Sequence, residues 1–289
     1  MDSTVHARFW RVAEPAPGVD DFPTILAEEA KEPKAGKRER DVAEGVRVRL
    51  ERCVPNGDFL EGEFCRVQSA NIPPQAGPDG LEPMQLPAGR GIGHVAAFSY
   101  HLPTRVLLLQ RNALSVNPNR ISLYIAMSKP DRFFAFAPVM CGDAMERFAT
   151  KEPRAFTVTF AAPKNLKAFD DYELPAAKGA RLIAEAYDGV RVTVEVSVGK
   201  SQRLKLNKAM VMEAIQGLAG IPGVKKLKVR AEEDGEDDII NFIKEQLQYE
   251  KKAVLPEGDP EQNYEVRKLL LRAAFGDSLP TLEKQFNKP

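Results

Sequence analysis

Apolar and polar side chains alternate over residues 4–12, which predicts a first strand with one buried face. Asp20 and Asp21 stand where a helix cap belongs and predict a short helix to residue 32. Residues 31–40 are charged and broken by Pro33 and Gly36, so an exposed loop is expected there. Val46, Val48 and Leu50 alternate with Arg47, Arg49 and Glu51. Pro55-Asn56-Gly57 then marks a turn, and residues 59–67 return as the hairpin partner. Residues 72–93 hold five prolines and five glycines and predict a long irregular loop. Two strands follow, 92–101 and 105–110, joined by a turn containing Pro103. The run Val106-Leu107-Leu108-Leu109 is apolar on both faces, which places it in the middle of a sheet. Asn117-Pro118 opens a helix carrying Ile121, Leu123, Tyr124 and Ile125. Residues 133–140 predict another buried strand, and Asp143 caps a short helix to Phe148.

The second half is more regular. Phe156, Val158 and Phe160 alternate with Thr157 and Thr159, residues 176–187 are helical, and valines occupy every second position from Val190 to Val198. Residues 202–206 predict a short strand. Asn207 caps a helix carrying Val211, Ala214, Ile215 and Leu218, and residues 224–230 form a last strand. Strand, helix, strand, strand, helix, strand is the ferredoxin-like order. Six acids follow (Glu232, Glu233, Asp234, Glu236, Asp237 and Asp238), then a helix over 239–252, a Pro/Gly break at 256–260, and a final helix with Tyr264, Leu269, Leu270, Ala273 and Phe275. The expected fold is α+β: an N-terminal mixed sheet domain over 1–150, a ferredoxin-like βαββαβ domain over 151–231, and an acidic linker with C-terminal helices over 232–289.

Composition narrows the function classes. The 289 residues carry 41 Lys+Arg against 41 Asp+Glu, so an argument for a polyanionic partner has to come from uneven charge placement. With 43% hydrophobic and 28% charged residues the chain is an ordinary globular protein. No apolar run approaches the ~20 residues of a membrane span, and residues 1–12 hold no apolar signal core. Cys53, Cys65 and Cys141 have neither zinc-ligand nor disulfide-framework spacing, which points to a reducing cytoplasm.

Residues 199–230 concentrate the positive charge: Lys200, Arg203, Lys205, Lys208, Lys225, Lys226, Lys228 and Arg230 against the single acid Glu213. In the last strand Lys226, Lys228 and Arg230 share one face while Leu227 and Val229 take the other. In the preceding strand Arg203 and Lys205 oppose Leu204 and Leu206. With helices on the apolar face, these cations and Lys200 form an open basic surface for phosphate backbone, read without sequence preference. A solvated lysine face that suppresses edge pairing is the alternative. The acidic run is a linker or a phosphate mimic that covers the basic face. Aromatic stacking of RNA is disfavoured, because residues 201–206 hold no aromatic.

Catalytic constellations are scarce. His6, His94 and His101 are the only histidines, with no metal-ligand spacing, and no cofactor is expected. A metal-dependent nuclease would have to work through Asp170, Asp171 and Glu173, or Glu195 with Lys200. Gly89-Arg90-Gly91-Ile92-Gly93 precedes a strand instead of opening a helix, so it reads as a turn. Gln110, Arg111 and Asn112, at the exit of the most apolar strand with Ser115 just beyond, form a further candidate site or cap the adjoining loop. The stripe of Leu269, Leu270, Ala273 and Phe275 suits a helical core or a protein partner.

From Gly91-Ile92-Gly93 through Leu107-Leu108-Leu109-Gln110-Arg111-Asn112, with Ser115 and the helix of Ile121 to Ile125, the chain resembles uncharacterised bacterial proteins of phage-defence neighbourhoods. More loosely it resembles the RexA-type phage-exclusion proteins and the KwaB component of Kiwa defence. The resemblance covers residues 89–230. It implies a cytoplasmic homodimer, not membrane-embedded, that binds DNA with little sequence specificity in antiviral defence, with room for a second defence-system subunit. It carries no catalytic residue over.

Overall fold

The computed structural model describes residues 2–13, 20–130, 132–161, 175–187, 189–199, 204–219, 223–233 and 236–286. The first elements are β1 (Asp2–Ala13), α1 (Phe22–Ala30), β2 (Glu39–Ala43), β3 (Val46–Asn56), β4 (Phe59–Gln68), β5 (Gln75–Gly77) and β6 (Gly80–Glu82). Then come β7 (Ile92–His101), β8 (Val106–Gln110), α2 (Pro118–Ser128), β9 (Ala135–Pro138), α3 (Gly142–Thr150), β10 (Glu152–Ala161) and α4 (Pro175–Ala186). The chain ends with β11 (Arg191–Ser197), α5 (Lys208–Leu218), β12 (Val224–Glu233), β13 (Glu236–Asn241), β14 (Gln248–Val254) and α6 (Pro260–Phe286). The class is α+β, and the chain divides into two units: Met1–Phe136 with Gln248–Pro289, and Ala137–Leu247. The compact units therefore do not meet at residues 150 and 231, and the C-terminal segment belongs with the N-terminal one.

The first unit is built on an antiparallel sheet in the order β14-β1-β8-β7-β4-β3-β2. Val106, Leu107, Leu108 and Leu109 are all buried, so β8 is central, as its two-sided apolar pattern requires. On one face Trp10, Leu107, Phe98, Phe64 and Leu50 share a core with Phe22, Ile25 and Leu26 of α1 and Ile121, Tyr124 and Ile125 of α2. Both helices start as the sequence implies: the Asp21 side chain accepts from Thr24 N–H, and Asn117 from Arg120 N–H. Gly57 turns the β3–β4 hairpin at φ 59°. Gly62 is needed for space, since a Cβ there would meet the Phe98 ring and the Arg52 carbonyl. Residues 72–93 contain the small β5–β6 hairpin, which pairs with no other strand.

The other face is covered by α6. Its buried side chains are Tyr264, Arg267, Leu271, Ala274, Phe275 and Leu282. The helix is thus rotated from the expected stripe: Leu269 is 58% exposed, and Leu271 and Ala274 take the inner positions. Phe275 packs edge-on against Phe9 and Phe59, each at 5.3 Å. Arg267 Nη2 lies 2.7 Å from Glu63 Oε1, with both side chains at 5% exposure or less. Arg267 Nη1 also donates to Gln110 Oε1 at 3.3 Å, and Arg272 clasps Glu61.

The second unit departs from the ferredoxin-like order. Its sheet runs β11-β10-β12-β13, with every pairing antiparallel. A split βαβ unit needs parallel strands on either side of its first helix with a third between them, yet β10 and β11 are adjacent and antiparallel. Residues 204–207 form no strand. They are held at the start of β10, where Leu206 N–H donates to Pro153 O and Arg154 Nη1 donates to Leu204 O. The fourth place is taken by β13, inside the segment expected to be helical: Ile240 and Phe242 are buried while Ile239 is exposed, a period-two pattern. The rest of the expected 239–252 helix is β14, in the first unit. The core forms on one sheet face, where Phe156, Val158, Phe160, Leu227 and Val229 meet Phe148 of α3, Ala180 and Ala184 of α4 and Ile215 of α5.

Two outcomes follow from the α6 face. Arg267→Met leaves Glu63 buried without its partner and should cost about 3–5 kcal/mol in urea unfolding, whereas adding Glu63→Leu recovers most of the loss. His101 is buried against Phe59, with Nδ1 2.8 Å from Thr104 Oγ1. Burial holds its pKa below 6.5, against the opposing pull of Asp58 and Glu283. The unfolded chain takes up that proton first, so this contribution to stability is complete above pH 6.5 and declines as pH falls toward the folded value. Comparing urea midpoints at pH 7.5 and 5.5, His101→Gln should show a smaller acid-side loss than the wild type.

Candidate functional site

Along β12, Lys226, Lys228 and Arg230 alternate with the fully buried Leu227 and Val229. The register sets Lys226 beside Thr159, Lys228 between Thr157 and Asn241, and Arg230 between Ala155 and Ile239. Across β10, Thr157 and Thr159 pair with Glu195 and Thr193 of β11. The face away from the helices is therefore polar, with cations on β12, threonines on β10, and Glu195 on β11. Lys226 is exposed and Lys228 half-buried. Neither forms an ion pair among the described residues.

Of the six cations expected on this surface, four lie in the described residues. Lys200 and Arg203 lie outside the described residues. Lys205 sits on the non-strand segment, 3.4 Å from Glu152 in a half-exposed pair of the kind worth at most about 1 kcal/mol. On its polar face the described sheet displays Lys226, Lys228 and Arg230 of β12 and Arg191 of β11.

The acids at 232, 233 and 236–238 lie on β12 and β13, which pair antiparallel, with Glu232 in register with Asp237 and Ala231 with Asp238. Cations hold two of these acids: Arg154 Nε is 3.1 Å from Glu232, Lys151 Nζ is 3.0 Å from Asp238, and Arg147 Nη1 is 3.8 Å from Asp238. Among the described residues, then, Glu232 and Asp238 are engaged by Arg154, Lys151 and Arg147, while Lys226 and Lys228 stay unpaired.

At the exit of β8, Gln110 and Asn112 are committed to structure. Gln110 Oε1 accepts from Ala97 N–H and from Arg267. Asn112 Nδ2 donates to Val95 O at 3.3 Å, and its Oδ1 accepts from Leu114 N–H. Ser115 Oγ donates to His94 O. Arg111 alone of the three points its side chain outward.

For the nuclease reading, Asp170, Asp171 and Glu173 lie outside the described residues, and Glu195 is exposed on β11. Among the described residues no group of three or more His, Cys, Asp or Glu side chains is arranged to hold a metal ion. No helix there is long and apolar enough to cross a membrane.

The family of unknown function DUF6731 matches residues 23–275, most of the chain. The chain belongs to DUF6731. No curated protein matches it. The DUF6731 match spans both units and names no activity, and it does not speak to phage exclusion or Kiwa defence.

The thiols of this DUF6731 chain give a direct check on burial. Burial pushes Cys53 up to about 12, against the pull of Arg38, and pushes Cys65 up to about 12 with help from Glu51. Both are therefore protonated and unreactive near neutral pH. A thiol-titrating disulfide reagent at pH 8 should label at most one thiol, the half-buried Cys141, in the native protein and all three in denaturant.

Proposed function

We propose that this protein binds DNA with little sequence preference through the polar face of the second unit, with Lys226, Lys228 and Arg230 contacting phosphates. The supporting observation is the unpaired state of Lys226 and Lys228 on a face where Glu232 is engaged by Arg154 and Glu195 stands one strand further off, across β10. Cations already neutralised by carboxylates release no counterions when they meet DNA; unpaired ones do. Same-face positions on a strand are about 6.5 Å apart, so the β12 cations meet the backbone as a row and read charge rather than base edges. A homodimer acting in the cytoplasm in antiviral defence is the wider setting, and it rests on the resemblance of residues 89–230 to phage-defence proteins.

Gel-shift titration of duplex DNA at increasing salt tests the reading. Affinity should fall linearly on a log–log plot, and Lys226→Glu with Lys228→Glu should lower the slope by about one per residue, similarly for unrelated sequences. Absent binding, or binding indifferent to salt and to the two substitutions, overturns it.

A further inference from the structure

Six arginines of the first unit sit on a carboxylate: Arg40 on Glu29, Arg47 on Glu39, Arg49 on Glu51, Arg52 on Glu261, Arg267 on Glu63 and Arg272 on Glu61. Arg8, Arg66, Arg111 and Arg120 do not. None of the four has an ion pair among the described residues, and they converge on one end of one sheet face. Arg8 lies two positions before Trp10 on β1, and Arg66 two positions after Phe64 on β4. Both therefore project on the side of the α1/α2 core. Arg111 follows Leu109, which pairs with Arg8, and its N–H donates to His6 O at 2.7 Å. Arg120 lies in the first turn of α2.

The loop from Arg111 to Ser115 links the four. Arg66 Nη1 donates to Leu114 O at 2.7 Å, and Arg120 Nη1 to Ser115 O at 2.6 Å. These bonds orient two guanidinium groups without neutralising either. Arg66 Nε is buried and has no acceptor. Arg8 is half-buried, makes no side-chain hydrogen bond among the described residues, and keeps its Nε buried and unpartnered. Its nearest charged neighbour is another cation: burial and then Arg111 lower the Arg8 pKa. Burial and then Arg66 do the same to Arg120 and to His94, with no carboxylate opposing. The N-terminus of α2 is already capped by Asn117, so the guanidinium groups supply the positive potential.

Cations that repel one another, three of them partly buried and two with a buried Nε left without an acceptor, are costly to hold together. Such costs collect where a ligand of opposite charge relieves them. Four guanidinium forks in two pairs, strung along a five-residue loop, outmatch a single carboxylate. They suit a chain of tetrahedral groups that offers many acceptors. We propose that Arg8, Arg66, Arg111 and Arg120 form a binding site for an oligophosphate, either the phosphate tail of a nucleotide or a bare inorganic chain. The site lies in the first unit and is independent of the β12 face.

Isothermal titration calorimetry of the full chain with inorganic tripolyphosphate, ATP, orthophosphate and citrate tests this. Tripolyphosphate and ATP should bind saturably, at least tenfold tighter than orthophosphate or citrate. Arg111→Glu should weaken that binding at least tenfold with a ligand-free melting temperature equal to or above the wild type, because the Arg111 side chain makes no hydrogen bond or ion pair among the described residues and repels Arg8. Arg8→Gln should weaken binding too, with a ligand-free melting temperature equal to or above the wild type. ATP binding tighter than tripolyphosphate assigns the site to a nucleotide, and equal binding to the phosphate chain itself. The Lys226→Glu, Lys228→Glu protein should bind both as the wild type does, even if DNA binding is lost or was never present. Absent saturable binding, citrate binding as tight as tripolyphosphate, or affinity unchanged in Arg111→Glu overturns the proposal.

Discussion

The ion pair between Arg267 and Glu63 sets the architecture of the first unit. Both side chains are almost fully buried, so each needs the other: alone, either would carry a large desolvation penalty. Burial raises the Glu63 pKa, while Arg267 and Arg52 pull it back. Around the pair, Gln110 receives the second Arg267 nitrogen and Glu61 receives Arg272. A greasy helix could slide on a greasy sheet, but this one is held in register by paired charges. The rotation of α6, which turns Leu269 outward and Leu271 inward, follows from placing Arg267 over Glu63.

That constraint also explains the order of the chain. A strand such as β8, apolar on both sides, has to be covered twice, and α1 with α2 covers only one side. The second cover arrives from the far end of the sequence, after the whole of the second unit has been inserted between Phe136 and Gln248. Before α6 it supplies β14, whose Glu250, Lys251 and Lys252 make a charged outer strand beside β1 and discourage further pairing. The first unit is thus closed by contacts of very long sequence separation, and the second has a core of its own.

Much of this was legible one residue at a time. Alternation located β1, β3, β4, β7, β10, β11 and β12, and the caps at Asp21, Asn117 and Asn207 located three helices. The errors have physical causes. Residues 202–206 alternate in sequence, but the backbone groups of Leu204 and Leu206 bond to Arg154 and Pro153 at the start of β10, and no strand forms over 204–207. Ile239, Ile240, Phe242 and Ile243 fit a helical spacing as well as a strand, and the acids before them gave no sign that β12 and β13 would pair. The cations that hold Glu232 and Asp238 there, Arg147, Lys151 and Arg154, lie far away in sequence. The phase of Lys226, Lys228 and Arg230 was readable because it depends only on the period of one strand.

Neutral overall charge concealed the more informative quantity, which is how the charges are paired. Forty-one cations and forty-one anions could cancel everywhere, yet the structure spends its carboxylates unevenly. They are used to seat α6, to bind β2 and β3 to their neighbours, and to hold the pairing of β12 with β13; among the described cations without one are Lys226 and Lys228 on one unit and Arg8, Arg66, Arg111 and Arg120 on the other. The two leftovers differ in kind. Lysines on an open sheet face cost little to leave solvated, so their freedom alone is weak support for a ligand. Half-buried arginines beside another cation, as Arg8 is beside Arg111 and Arg120 beside Arg66, are unfavourable in the ligand-free fold. Persistence of that arrangement where a carboxylate or an apolar side chain would be more stable is the stronger physical indication that an anion belongs there.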